Sequence, residues 1–146
     1  VVWEGVVRVV VELPRVGGVV NNPVGLVCLA GLLTVLTAEF CPAFPQRILN
    51  IHPSLLASFP WLDAKQQALN HGVKVSGCTA HFVDEELDAG PIIRQAAVSV
   101  KADDTAATLS ARILVEEHRI YTEAIQVVLA ENYRIEGRRV IEAPPS

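Results

Sequence analysis

Apolar positions along the chain follow two periods. Unbroken or alternating apolar runs at 6–13, 25–29, 47–51, 73–83 and 91–100 predict strands, each bounded by turn formers. Pro14 and Gly17-Gly18 close the first run, Asn21-Asn22-Pro23 makes a turn, and Pro53 ends the third. Helical spacing predicts a long amphipathic helix over 105–131, opened by Asp103-Asp104-Thr105, with Leu109, Ile113, Ile120, Ile125 and Leu129 on one side. Two shorter helices are predicted: 64–70, capped by Asp63 and ended by His71-Gly72, and 37–44, with Thr37 as its cap. A terminal hairpin, 133–135 with 139–141, turns around Glu136-Gly137. Strands alternating with helices predict a layered α/β fold with a mainly parallel central sheet. Function in such sheets collects in loops at the carboxyl ends of strands. Two loops qualify: the one after residues 50–52, and the acidic one at 84–90.

Composition narrows the class. With 51% hydrophobic and 19% charged residues, 146 residues make one domain with a sizeable core. A net charge of -4 argues against a nucleic-acid footprint, which needs a basic face. The most apolar segment, 24–36, is interrupted by Thr34 and falls short of the roughly 18 residues of a membrane span. No signal peptide is read at the start. Cys28, Cys41 and Cys78 are odd in number, widely spaced and set among apolar residues, which predicts reduced thiols in a cytoplasmic protein with no zinc-type spacing. The absence of Met predicts a chain that begins inside something longer, or one that has been cut back. Residues 1–23 form a valine-rich segment without a functional reading, set apart from 24–146.

The candidate chemistry lies in the stretch ILNIHPSLL. Asn50 and His52 are two apart, so in a strand both side chains share a face, and Pro53 puts His52 at the rim. An imidazole there can give or take a proton near neutrality, and the Asn50 amide suits a developing oxyanion. A carboxylate from the loop Asp84-Glu85-Glu86-Leu87-Asp88 could orient His52. Such a trio suits attack by an amine on an acyl carbon. Spacing alone leaves the plainer alternative open: a structural histidine at a strand end, an asparagine bonded to backbone and a solvated acidic loop.

These residues carry a resemblance. NIHPSLL at 50–56, GCTAHFVDEELDAGPII at 77–93, EEHRIY at 116–121 and CLAGLLTVLTAEF at 28–40 resemble the phosphoribosylglycinamide formyltransferase family, in order and spacing, from about 24 to 141. The resemblance implies a Rossmann-like formyltransferase fold. The implied activity is formyl transfer from 10-formyl-tetrahydrofolate, a cosubstrate, to glycinamide ribonucleotide in purine biosynthesis, with no metal. Asn50 would hold the formyl oxygen, His52 would protonate the leaving folate nitrogen, and Asp88 would bond His52 and raise its pKa. Leu33, Thr34, Val35 and Leu36 match the stretch that holds the pterin, and Phe40, Cys41, Ile48 and Val83 would line its pocket. Asp84, Glu85, Glu86, Leu87 and Asp88 match the loop that closes on it, and Glu117 matches the acid that bonds the ribose hydroxyls. Small-molecule substrates are implied, with no nucleic acid or membrane partner and with room for a homodimer.

The chain also departs from the family pattern. Val16-Gly17-Gly18-Val19 does not match the glycine-rich turn that binds the substrate phosphate, so the amino-terminal half reads as truncated or divergent. Ala57 and Trp61 stand where the family has proline and glycine, and Leu114 replaces a polar residue. Two other functions therefore compete: a 10-formyl-tetrahydrofolate hydrolase, and a non-catalytic folate-binding relic. HPSLL and the Glu117-His118 pair favour the transferase.

Overall fold

The computed structural model describes residues 7–11, 25–30, 44–60, 62–84 and 89–144. The element order is β1 (Val7–Val11), β2 (Leu26–Ala30), β3 (Ile48–His52), α1 (Ala64–His71), β4 (Val75–Phe82), β5 (Ile92–Ser99), α2 (Ala106–Ala130), β6 (Tyr133–Glu136) and β7 (Arg139–Glu142). The strands form one seven-stranded sheet in the order β1-β2-β3-β4-β5-β7-β6. The layered α/β architecture is the expected one, and β1 brings part of the valine-rich segment into the same sheet. The predicted helix over 37–44 lies outside the described residues.

The sheet is mixed rather than mainly parallel. Among the described residues, β2/β3 and β5/β7 pair parallel, while β1/β2, β3/β4, β4/β5 and β6/β7 pair antiparallel. The chain joins β4 to β5 through residues 83–91, shorter than the dozen or more residues that a parallel crossover needs. A two-residue turn joins β6 to β7, with Gly137 at φ 62°, and such a turn permits only an antiparallel hairpin.

α2 lies on one face of the sheet. Its N-terminus carries a capping box, in which Thr105 and Thr108 bond each other's backbone reciprocally. The buried stripe is Leu109, Ile113, Ile120, Ala124 and Val128. It drifts one position from the expected Ile125 and Leu129, which are half-buried. The stripe packs on Leu26, Cys28, Leu49, Ile51, Cys78, Ala80 and Phe82 of the sheet. Strand alternation sends Val27, Leu29 and Ile48 to the other face, against Phe44 and Val83. The α1 cap differs from expectation. Asp63 is left-handed (φ 55°) with no side-chain cap bond, and its carbonyl instead accepts from Gln67 N at 2.9 Å. Gly72 ends the helix as expected, at φ 74°.

Candidate active site

β3 is buried along its whole length. Five apolar or polar positions between two neighbouring strands leave no room for solvent, so its polar side chains must be there for a reason. Asn50 and His52 are 2% and 6% exposed, and both point away from α2, on the face of Ile48. Register sets Asn50 between Leu29 and His81, and His52 opposite Thr79. The buried Oδ1 of Asn50 has no hydrogen-bond partner among the described residues. A buried amide with unused bonding capacity costs free energy unless something else completes it.

His52 is held by the loop that follows it. Its Nε2 lies 2.9 Å from the Phe59 carbonyl. A carbonyl oxygen only accepts, so Nε2 carries a hydrogen. The loop is fixed from below. Ser54 Oγ donates to the Ser58 carbonyl at 2.5 Å and lies 3.2 Å from the Phe59 carbonyl. Thr79 Oγ1 donates to the Ser54 carbonyl at 2.7 Å and accepts from Leu56 N at 3.1 Å. Gln95 Nε2 donates to the Leu56 carbonyl at 2.9 Å. The turn after Pro53 is thus laced onto β4 and β5, and the imidazole inherits that rigidity.

The acidic loop leaves from a tight neck beside Ile48, at the other end of β3 from His52. Val83 N donates to the Ile48 carbonyl at 2.8 Å, and Phe82 N to the Pro91 carbonyl at 2.9 Å. At Gly90 a Cβ would lie 1.8 Å from the Phe82 carbonyl oxygen, so only glycine permits this approach.

One carboxylate of α2, that of Glu117, lies within electrostatic range of His52. Glu116 and Glu117 occupy the turn between Ile113 and Ile120, where the buried stripe would otherwise continue. Glu116 takes Arg119, while Glu117 has no hydrogen-bond partner among the described residues. Burial pushes the Glu117 carboxyl above the ordinary glutamate range, and the charges of Lys65, His118 and His52 oppose that rise. Cys28 is pushed up to about 11 by burial, and Cys78 to about 12 by burial and by Glu117 and Glu116. Neither thiol is a thiolate nucleophile near neutral pH.

A buried amide and imidazole on one strand face can hold an oxyanion and move a proton. The model of the family described as formyl transferase matches residues 17–125. The chain belongs to the formyl transferase family. It is 49% identical over 118 residues to the human trifunctional purine biosynthetic protein adenosine-3, covering 77% of this chain and 12% of that protein. It is 44% identical over 113 residues to the phosphoribosylglycinamide formyltransferase of Bacillus subtilis (strain 168), covering 77% of this chain and 58% of that one. The crystal structure of glycinamide ribonucleotide transformylase 1 from Symbiobacterium toebii superposes with a TM-score of 0.81 at 57% identity, covering 83% of this chain and 57% of that one. The chain therefore spans less than two thirds of the length of these relatives.

Within this formyl transferase chain, the structure brings together Asn50 and His52, and separately Ile48 and Val83, which pack side by side. Glu117 lies within electrostatic reach of His52. Asp84 is exposed at the start of the acidic loop. Leu33, Thr34, Val35, Leu36, Phe40, Cys41, Glu85, Glu86, Leu87 and Asp88 lie outside the described residues, as does Trp61. The supports of His52 were not foreseen. Thr79 could have been found from the phase of β4, since alternation puts it on the face opposite Cys78. Ser54 and Gln95 carry no local signal that separates them from solvated residues.

Proposed function

We propose that this chain carries the formyl-transfer site of a phosphoribosylglycinamide formyltransferase. That site moves a formyl group from 10-formyl-tetrahydrofolate to the amine of glycinamide ribonucleotide. The observation that carries the reading is the buried Asn50–His52 pair on one face, with Asn50 Oδ1 unbonded among the described residues. The substrate amine attacks the formyl carbon, and the carbonyl π electrons move onto oxygen, where Asn50 holds the charge. The bond from that carbon to the folate nitrogen then breaks. His52, as imidazolium, gives its proton to the departing nitrogen, and the attacking amine loses one of its own. Asp88 is assigned to hold and charge-stabilise His52. Ile48, Val83 and the loop from Asp84 to Asp88 are assigned to the pterin, with Leu33, Thr34, Val35, Leu36, Phe40 and Cys41. Glu117 is assigned to the ribose hydroxyls, which its half-buried carboxylate suits as an acceptor.

The reading includes a cytoplasmic setting and small-molecule partners. No helix among the described residues is long and apolar enough to cross a membrane. Two titrations test it: one with a folate analogue, one with glycinamide ribonucleotide. Binding of both is expected. Folate alone would point to the hydrolase or to a folate-binding half-site, and neither to a relic that no longer binds folate. His52→Ala is expected to reduce turnover by at least 100-fold, the size of a general acid's contribution, while folate-analogue binding stays near wild type. An equally active variant would overturn the assignment.

A further inference from the structure

The terminal hairpin reaches the exit of the acidic loop. Gly137, at φ 62°, makes the β6–β7 turn, and the next residue, Arg138, is thrown outward from it. Its Nη2 donates to the carbonyl of Ala89. Ala89 stands directly before Gly90, the residue jammed against the Phe82 carbonyl, and directly after Asp88. Immediately beyond, β7 joins the sheet beside β5 through Ile92↔Arg139. The chain re-entering the sheet at 89–92 is therefore held from two sides: by β4, through Phe82 N to the Pro91 carbonyl at 2.9 Å, and by the hairpin.

The geometry points to Arg138 as a positioning residue for the folate half of the site, through its bond to the Ala89 carbonyl. This rests on the formyltransferase reading given above. A charged donor on a backbone carbonyl is stronger than a neutral one and fixes the peptide plane between Ala89 and Gly90. No hydrogen bond or ion pair between Arg138 and Asn50, His52 or Glu117 occurs among the described residues, so its effect reaches the chemistry through the chain at Ala89.

The test uses the full chain with Arg138→Ala and Arg138→Lys. The ligand is 5-formyl-tetrahydrofolate, which carries its formyl group on a nitrogen unsuited to this transfer. Arg138→Ala is expected to weaken its binding about tenfold, the scale of one charge-assisted hydrogen bond. Affinity for glycinamide ribonucleotide and the thermal midpoint should stay near wild type, and Arg138→Lys should recover part of the loss. Unchanged folate affinity in Arg138→Ala would overturn the inference, as would an equal loss for both ligands. Should the wild-type chain itself fail to bind the folate, the formyltransferase reading falls. Amide exchange at residues 89, 90 and 92 without ligand then judges the clamp: faster exchange in Arg138→Ala upholds it, and unchanged exchange ends it.

Discussion

Glu117 shows how a residue proposed for the site can be costly to the fold. Its carboxyl sits in a break of the apolar stripe of α2, and burial raises its pKa. An acid whose pKa is raised on folding binds protons more readily folded than unfolded. Its contribution to stability therefore falls as pH rises from the unfolded value, about 4.3, through the raised folded value. Glu117→Gln is accordingly expected to melt at a higher temperature than wild type at pH 7–8. The difference should vanish below about pH 4, where both states are protonated. Melting curves across that range check the sign. A glutamine that lowers the midpoint at neutral pH would mean a buried partner holds the carboxylate charged. His52 was legible from its spacing to Asn50 and from Pro53, because a two-residue interval in a strand has one geometric meaning. Its anchor on the Phe59 carbonyl was not, because backbone acceptors leave no mark in a sequence.

Elements end where backbone geometry allows. The neck of the acidic loop depends on Gly90, whose absent Cβ would meet a backbone oxygen at 1.8 Å. Backbone cannot give way as a flexible side chain can, so Gly90→Ala is expected to cost about 2–3 kcal/mol by overpacking. Gly137, with a positive φ but nothing within 4 Å of its Cβ position, should lose only about 1–2 kcal/mol on the same change. Chemical denaturation of the two variants gives the comparison. The start of α2 is set by Asp104, which takes Lys101 N at 2.7 Å, Thr108 Oγ1 at 2.8 Å and the Arg112 guanidinium. These partners, Arg112 first, hold its carboxyl well below the usual carboxylate range. A depressed acid stabilises above its unfolded pKa, and that contribution is lost as pH falls through the folded value. Asp104→Asn should therefore lower the midpoint at pH 7, and the gap to wild type should narrow on titration below about pH 4. The amino-terminal end of α2 was readable, because capping residues act within one turn. The partners of Asp104 on the next turn follow from the same 3.6 period.

Across the whole molecule, one side chain joins the helix layer to the parallel strand pair. Tyr121 of α2 donates its hydroxyl to the Leu29 carbonyl at 2.7 Å, with the Leu49 carbonyl 3.2 Å away. Burial pushes its phenol well above the ordinary range, so it stays a donor at any working pH. Tyr121→Phe keeps the ring packing and removes the bond. A loss of about 1 kcal/mol, or about 3 °C in the melting midpoint, is expected. A midpoint at or above that of wild type would show that the hydroxyl carries no net stabilisation.

By itself the sequence determined the elements with a clear period, the amino-terminal cap of α2, the shared face of Asn50 and His52, and the family. These are local properties, encoded within one or two turns or one strand, or matched motif by motif in order. Only the tertiary structure decided the direction of each strand beside its neighbour, because that depends on the path each connection takes through the packed layers. It also decided which loop carbonyl holds His52, that Thr79 and Ser54 stand beneath it, and that a turn 49 residues away grips Ala89. Such pairings join groups distant in sequence, and no local spacing encodes them.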